Sequence, residues 1–100
     1  MLELAKRLIV IPSENPPGNH YEECVCTLFD ELMRLEFDDV RRDGACVVAS
    51  VGTGPRTLYF SGHYDVVPAQ SLDQFEPRVK GANLFGRGSS DMKSGLAAMI

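Results

Sequence analysis

Three residues of this hundred-residue chain combine reactive chemistry with suggestive spacing: His63, Asp65 and Asp91. The first two lie in SGHYDVVP, residues 61–68, directly after the apolar run LYF. Residues two apart in an extended chain project to the same side, so an imidazole and a carboxylate can converge there. They stand at the C-terminal end of an expected strand, the edge where open α/β sheets place ligand crevices. Asp91 closes the glycine-rich run GRGSSD and precedes an apolar helical stretch, a second junction of the same kind. One imidazole and two carboxylates meeting at one edge suit zinc, cobalt or manganese. Each residue also has a plainer reading. A His after a strand is often hydrogen-bonded or solvated, and an Asp before a helix is often its N-cap.

The glycine-rich run invites rival chemistries. A phosphate loop needs Gly directly before the Lys-Ser pair, whereas Met92 precedes Lys93 and Ser94. The nucleophile elbow G-x-S-x-G fails because Met92 stands where its second Gly belongs. Ser90 to Lys93 fits S-x-x-K, but S-D-N and K-T-G, the partner motifs of that acyl-enzyme class, are absent.

Residues 2 to 9 carry a helical stripe of Leu2, Ala5, Leu8 and Ile9. IPSENPPG breaks it, because Pro16 and Pro17 forbid a helix and Gly18 relieves the turn. A second helix is expected from Asn19, with Asn19 and Glu22 as a capping box. Its stripe is Tyr21, Val25, Leu28, Leu32 and Leu35, and its end falls near Glu36 or Phe37. Val40 to Arg42, a turn at Asp43-Gly44, and Ala45 to Val51 read as a hairpin. GTGP, residues 52–55, is a second turn, and TLYFSG, residues 57–62, has the composition of a strand buried on both faces. A polar loop spans Pro68 to Pro77. Val79–Lys80 and Leu84–Phe85 suggest a short ribbon around Gly81, and a third helix begins at about Met92. Helices, strands, a glycine turn and a helix in this order point to an α/β layer architecture.

The remaining polar residues have modest readings. His20 is expected on the surface, and Cys24 and Cys26 lie on neighbouring helix faces, a poor chelate. Arg87 is expected either to meet a carboxylate or backbone or to stand exposed in its turn, Lys93 to meet an acidic neighbour, and Ser89 and Ser90 to cap the start of the third helix. Gly62 and Gly95 are expected to permit close packing near the site.

The net charge of -4, with no basic stripe, argues against a nucleic-acid surface. No apolar run approaches the roughly 18 residues of a membrane helix, and the first residues lack the pattern of a signal peptide. Three cysteines without paired-ligand spacing suggest reduced thiols and a cytoplasmic protein. The chain finishes in SGLAAMI without a capping residue, so the expectation is the N-terminal part of something longer.

SGHYDVVP followed by FGRGSSDMKSGLAAM closely resembles the co-catalytic zinc amidohydrolase and exopeptidase family. IPSENPPG is similar to that family's opening helix-to-helix loop. The resemblance implies a three-layer zinc-exopeptidase-like catalytic domain, of which residues 1–100 would be the N-terminal part. It implies two divalent metal ions, zinc foremost, with His63 a ligand to one ion and Asp91 a carboxylate bridging both. Asp65 is implied as an active-site residue behind His63, where it can fix the imidazole tautomer. A cis peptide between Asp91 and Met92 is implied as well. The family's general-base Glu, its other carboxylate ligands, its second His and its lid domain would lie beyond residue 100, as would any homodimer contact. The implied substrate is a small N-acyl amino acid or short peptide, cleaved at its amide bond. A different class stays open: a non-catalytic binding module that keeps the His–Asp geometry.

Overall fold

The computed structural model describes all residues, 1–100. Helix α1 runs Leu2–Val10 and α2 runs Tyr21–Arg34. Two antiparallel hairpins follow: β1 (Asp39–Asp43) with β2 (Cys46–Ser50), and β3 (Arg78–Lys80) with β4 (Asn83–Phe85). A 3₁₀ turn, Leu72–Phe75, precedes the second hairpin, and α3 spans Lys93–Met99. No helix is long and apolar enough to cross a membrane.

The helices pack together because each carries an apolar stripe that water disfavours. Leu4, Ala5 and Leu8 of α1 meet Leu28 of α2 and Leu96 and Ala97 of α3 in one cluster. Burying a leucine side chain fully contributes roughly 1.5–3 kcal/mol, so this junction is the main apolar anchor. The stripe on α1 is shifted from the expected one: Leu4 is buried and Leu2 exposed. On α2 the buried residues are Cys24, Val25, Leu28 and Leu32, with Leu35 exposed beyond the helix end.

The capping box does not form. His20, in a left-handed conformation, is the residue before α2, and no side chain caps the helix. Glu22 is drawn instead to Arg42 of β1, whose guanidinium donates to both its carboxylate oxygens at 2.6 Å. Both hairpins stand where the sequence puts them. The first turn is Gly44-Ala45, one residue later than expected, because Asp43 pairs with Cys46.

TLYFSG departs from expectation. Residues 57–62 join neither sheet, and Leu58, Tyr59 and Phe60 are 79%, 84% and 70% exposed. A strand buried on both faces needs ladder partners at its edges and layers above and below. Residues 57–62 pair with neither two-stranded sheet and are covered by no layer, so the run has neither. The chain is a mixed helix-and-strand unit whose two small sheets flank a helical core.

Candidate metal centre

The order lost at residues 57–62 returns at His63, and loop Ile11–Asn15 is the reason. Ser13 Oγ donates to the Tyr64 carbonyl at 2.7 Å. Val66 N donates to the Ser13 carbonyl at 2.9 Å, and Asn15 N to the Val66 carbonyl at 2.8 Å. These bonds form a short parallel bridge between residues 14 and 66. Ala69 N adds a 2.7 Å bond to Glu14 Oε1. The prolines that forbid a helix after Glu14 thus leave an extended loop free to pair with SGHYDVVP.

The alternation expected of extended chain is realised over residues 63–65. Tyr64 turns toward the helices and β-hairpin, its ring edge-on to Tyr21 at 5.4 Å and its hydroxyl donating to the Ala45 carbonyl at 2.6 Å. His63 and Asp65 face the other way. His63 Nδ1 stands 3.1 Å from the Asp65 carbonyl and 3.0 Å from Asp65 Oδ1. Both neighbours are acceptors, so Nδ1 carries the proton and Nε2 faces outward. Asp65 Oδ2 accepts from Asn15 Nδ2 at 3.0 Å.

Asp91 arrives from the other side. The turn before α3 brings its Oδ1 to 3.1 Å from His63 Nε2, across 28 residues of sequence. Its carboxylate is 86% exposed, on a cleft of about 610 Å³ that His63, Asp65, Arg87 and Gln74 also line. The Asp91–Met92 peptide is cis, as the resemblance implies. Gly62 lies close behind: a Cβ there would stand 2.7 Å from the Met92 side chain and 2.8 Å from Leu96. Gly95, by contrast, has only ordinary contact distances.

The electrostatics match this geometry. Partial burial disfavours the His63 imidazolium, but the Asp65 carbonyl and the Asp91 carboxylate outweigh it and raise its pKa. The Asn15 amide first, and then His63, hold Asp65 below the ordinary carboxylate range.

The donors fit a divalent ion. At zinc–ligand distances of about 2.0–2.1 Å, two atoms on one tetrahedral ion stand about 3.3 Å apart. His63 Nε2 and Asp91 Oδ1 are already at 3.1 Å, with the imidazole held from behind by a carboxylate, the usual support for a metal-bound His. Asp65 engages Nδ1 and is therefore behind the donor pair rather than within it. No set of three or more His, Cys, Asp or Glu side chains is gathered to hold an ion.

Several residues act differently from their sequence reading. Lys93 meets no acid; it is fully buried and donates to the Leu8 and Ile11 carbonyls at 2.8 and 2.7 Å. Burial lowers its pKa to about 8. Arg87 also finds no carboxylate: its Nη2 donates to Gln74 Oε1 at 2.6 Å, and its Nε is buried without a partner. Ser89 and Ser90 do not cap α3, which Met92 precedes without a side-chain bond. His20 is on the surface beside Glu23, and all three cysteines are free. The contributions of Ser13, Asn15 and Lys93 escape sequence reading, because each depends on contacts more than 45 residues away; only the proline break marks the loop as irregular.

Residues 59–100, which hold His63, Asp65 and Asp91, match peptidase family M20/M25/M40. Curated relatives extend the similarity over nearly the whole chain. A succinyl-diaminopimelate desuccinylase of Buchnera aphidicola subsp. Acyrthosiphon pisum (strain Tuc7) is 40% identical over 107 residues, covering 98% of this chain and 27% of that protein. Enzymes of the same name from Sphingopyxis alaskensis and from a Wolbachia of Brugia malayi are 35% and 36% identical over 108 residues. They are covered over 29% and 27% of their lengths, and this chain over 99%. The chain thus spans little more than a quarter of the relatives it matches, and the family resemblance of its motifs is borne out.

Proposed function

Proceeding from the relationship of this chain to peptidase family M20/M25/M40, we propose that it is the N-terminal part of the catalytic domain of a two-metal amidohydrolase. The observation that carries this reading is the His63 Nε2–Asp91 Oδ1 pair at 3.1 Å, backed by Asp65 and open to a cleft. His63 would hold one ion through Nε2, and Asp91 would be the carboxylate shared by both. Asp65 keeps the proton on Nδ1, so that Nε2 presents its lone pair outward.

Two divalent ions, zinc foremost and cobalt or manganese as substitutes, would supply Lewis acidity and a water acidified toward neutral pH. The substrate would be a small N-acyl amino acid or short peptide held in the cleft. A desuccinylase-type substrate accords with the relatives' names. A general-base Glu, the other ligands, and a lid through which a homodimer forms would come from the remainder of the protein. We place the whole protein in the cytoplasm, with no nucleic-acid or membrane partner.

A catalytic zinc normally has three protein ligands plus water. Two donors in these hundred residues therefore favour weak metal binding and no turnover by the chain alone. The test is hydrolysis of N-succinylated and N-acetylated amino acids, with zinc titrated, by a protein that joins this chain to the remaining length of its relatives. Zinc-dependent release of free amine is expected, abolished by His63→Ala. Two bound ions without hydrolysis would sink the enzyme reading, and full activity in His63→Ala would remove that residue from the site.

A further inference from the structure

The candidate centre has two arms, residues 63–65 and residues 88–91, and one short loop touches both. Ile11–Asn15 holds the first arm through Ser13 and Asn15. It holds the second through Lys93, which is fully buried yet has no acidic partner. The Lys93 ammonium donates to two carbonyls at the C-terminal end of α1, Leu8 and Ile11. Each also accepts one backbone amide, Leu8 from Ile11 N at 3.2 Å and Ile11 from Ser13 N at 2.9 Å, and both stand at the negative end of a helix dipole, a natural seat for a cation.

The Lys93 stem is equally confined. Its backbone N donates to the Gly88 carbonyl at 2.8 Å. A Cβ at Gly88 would come within 3.0 Å of Lys93 Cδ and 2.7 Å of Val66 Cγ1. Gly88 also has a φ of +84, which an L side chain rarely adopts. The turn that carries Asp91 is therefore pressed between Val66 and the lysine stem, and the ammonium fixes it to α1.

We propose that Lys93 is a positioning residue for the metal ligands: by tying the Asp91 turn to loop Ile11–Asn15, it sets the separation of Asp91 from His63. This rests on the metal-centre reading above. Removing a residue that orients a metal ligand typically costs about 10- to 100-fold in metal affinity.

The experiment compares Lys93→Met, close in shape but without donors, with Leu32→Ala, which weakens the buried face of α2 away from the centre. For each, made in the protein that joins this chain to the remaining length of its relatives, the imidazole ¹⁵N shifts of His63 are recorded without metal and through a zinc titration, beside a urea unfolding curve. Lys93→Met is expected to shift His63 Nε2 in the metal-free chain and to weaken zinc at least tenfold. Leu32→Ala is expected to lower stability and leave both readings within twofold of the parent. If the two variants lie on one line of affinity against stability, Lys93 is only structural and the proposal falls.

Should Lys93→Met fail to fold, the unmodified full-length protein still decides. Zinc that shifts His63 must also shift the carbonyl ¹³C signals of Leu8 and Ile11, and unmoved carbonyls at saturating zinc overturn the proposal. If zinc leaves His63 unaffected in the unmodified full-length protein, the metal reading fails. The metal-free His63 shift of Lys93→Met, or of Lys93→Gln where the former is unfolded, then tests the tie by itself, and an unshifted signal overturns it.

Discussion

Residues 57–62 and residues 63–69 are consecutive stretches of extended chain, yet they are held in opposite ways. The first carries Leu58, Tyr59 and Phe60 into solvent and joins no ladder. The second is bonded to loop Ile11–Asn15 at Tyr64, Asp65, Val66 and Ala69. The apolar run has the composition of a core strand, and the polar run has the contacts of one. The position of His63 and Asp65 is thus owed to a polar clamp downstream rather than to the strand that leads into them. Hydrophobicity states what a segment needs, while its order depends on which partners lie within reach.

The sharpest way to break this comparison is to truncate one apolar residue on each side of it. Leu8 is fully buried among α1, α2 and α3, so Leu8→Ala is expected to cost about 2–5 kcal/mol. Phe60 is larger and more apolar in absolute terms, but it is 70% exposed. Phe60→Ala is expected to fall within about 0.5 kcal/mol of the parent chain. Urea unfolding of the two variants measures both. A Phe60→Ala penalty as large as that of Leu8→Ala would show that TLYFSG is buried in solution, and the contrast would disappear.

Ser13→Ala probes the clamp. Ser13 is fully buried, and its hydroxyl satisfies the Tyr64 carbonyl. An acceptor left unpaired costs about 1–3 kcal/mol, so the variant should lose that much stability. The Val66 amide, which donates to the Ser13 carbonyl, should exchange its hydrogen faster in the variant. The Arg42 side of β1 should exchange as before. Uniform acceleration throughout the chain would mean that the loop is part of one cooperative core and no separate clamp.

The same contrast explains what could be read from sequence. His63, Asp65 and Asp91 were legible because their chemistry is explicit and two-residue alternation is a local rule. Gly44 and Gly81 marked both hairpins for the same reason, since a tight turn is decided by the residues within it. Lys93 was not legible. Its partners are carbonyls 82 and 85 residues away, and a carbonyl carries no residue identity to recognise. The capping box at Asn19 and Glu22 satisfied its local pattern but lost Glu22 to Arg42, a competitor 20 residues distant. Local rules held where the local partner was the best one available.

Asn15→Ala gives the smallest and most diagnostic effect. Asn15 Nδ2 donates to Asp65 Oδ2, and it is the first cause of the lowered Asp65 pKa. A carboxylate whose folded pKa is lowered contributes stability at pH values above its unfolded pKa of about 3.9. That stability is lost as pH falls through the folded value. Removing the amide should raise the Asp65 pKa toward the ordinary range, with the His63 contribution left in place. Asp65 is about one-third exposed, so solvent screening keeps the cost below about 1 kcal/mol at neutral pH. The gap between parent and variant should close as pH falls through the lowered folded value, below which Asp65 is protonated in folded and unfolded chains alike. Urea midpoints across that range, with the Asp65 carboxyl ¹³C titration beside them, follow both quantities. A gap that stays constant into acid would assign the loss to the Asn15 backbone and its bond to Val66, leaving the carboxylate behind His63 independent of the loop.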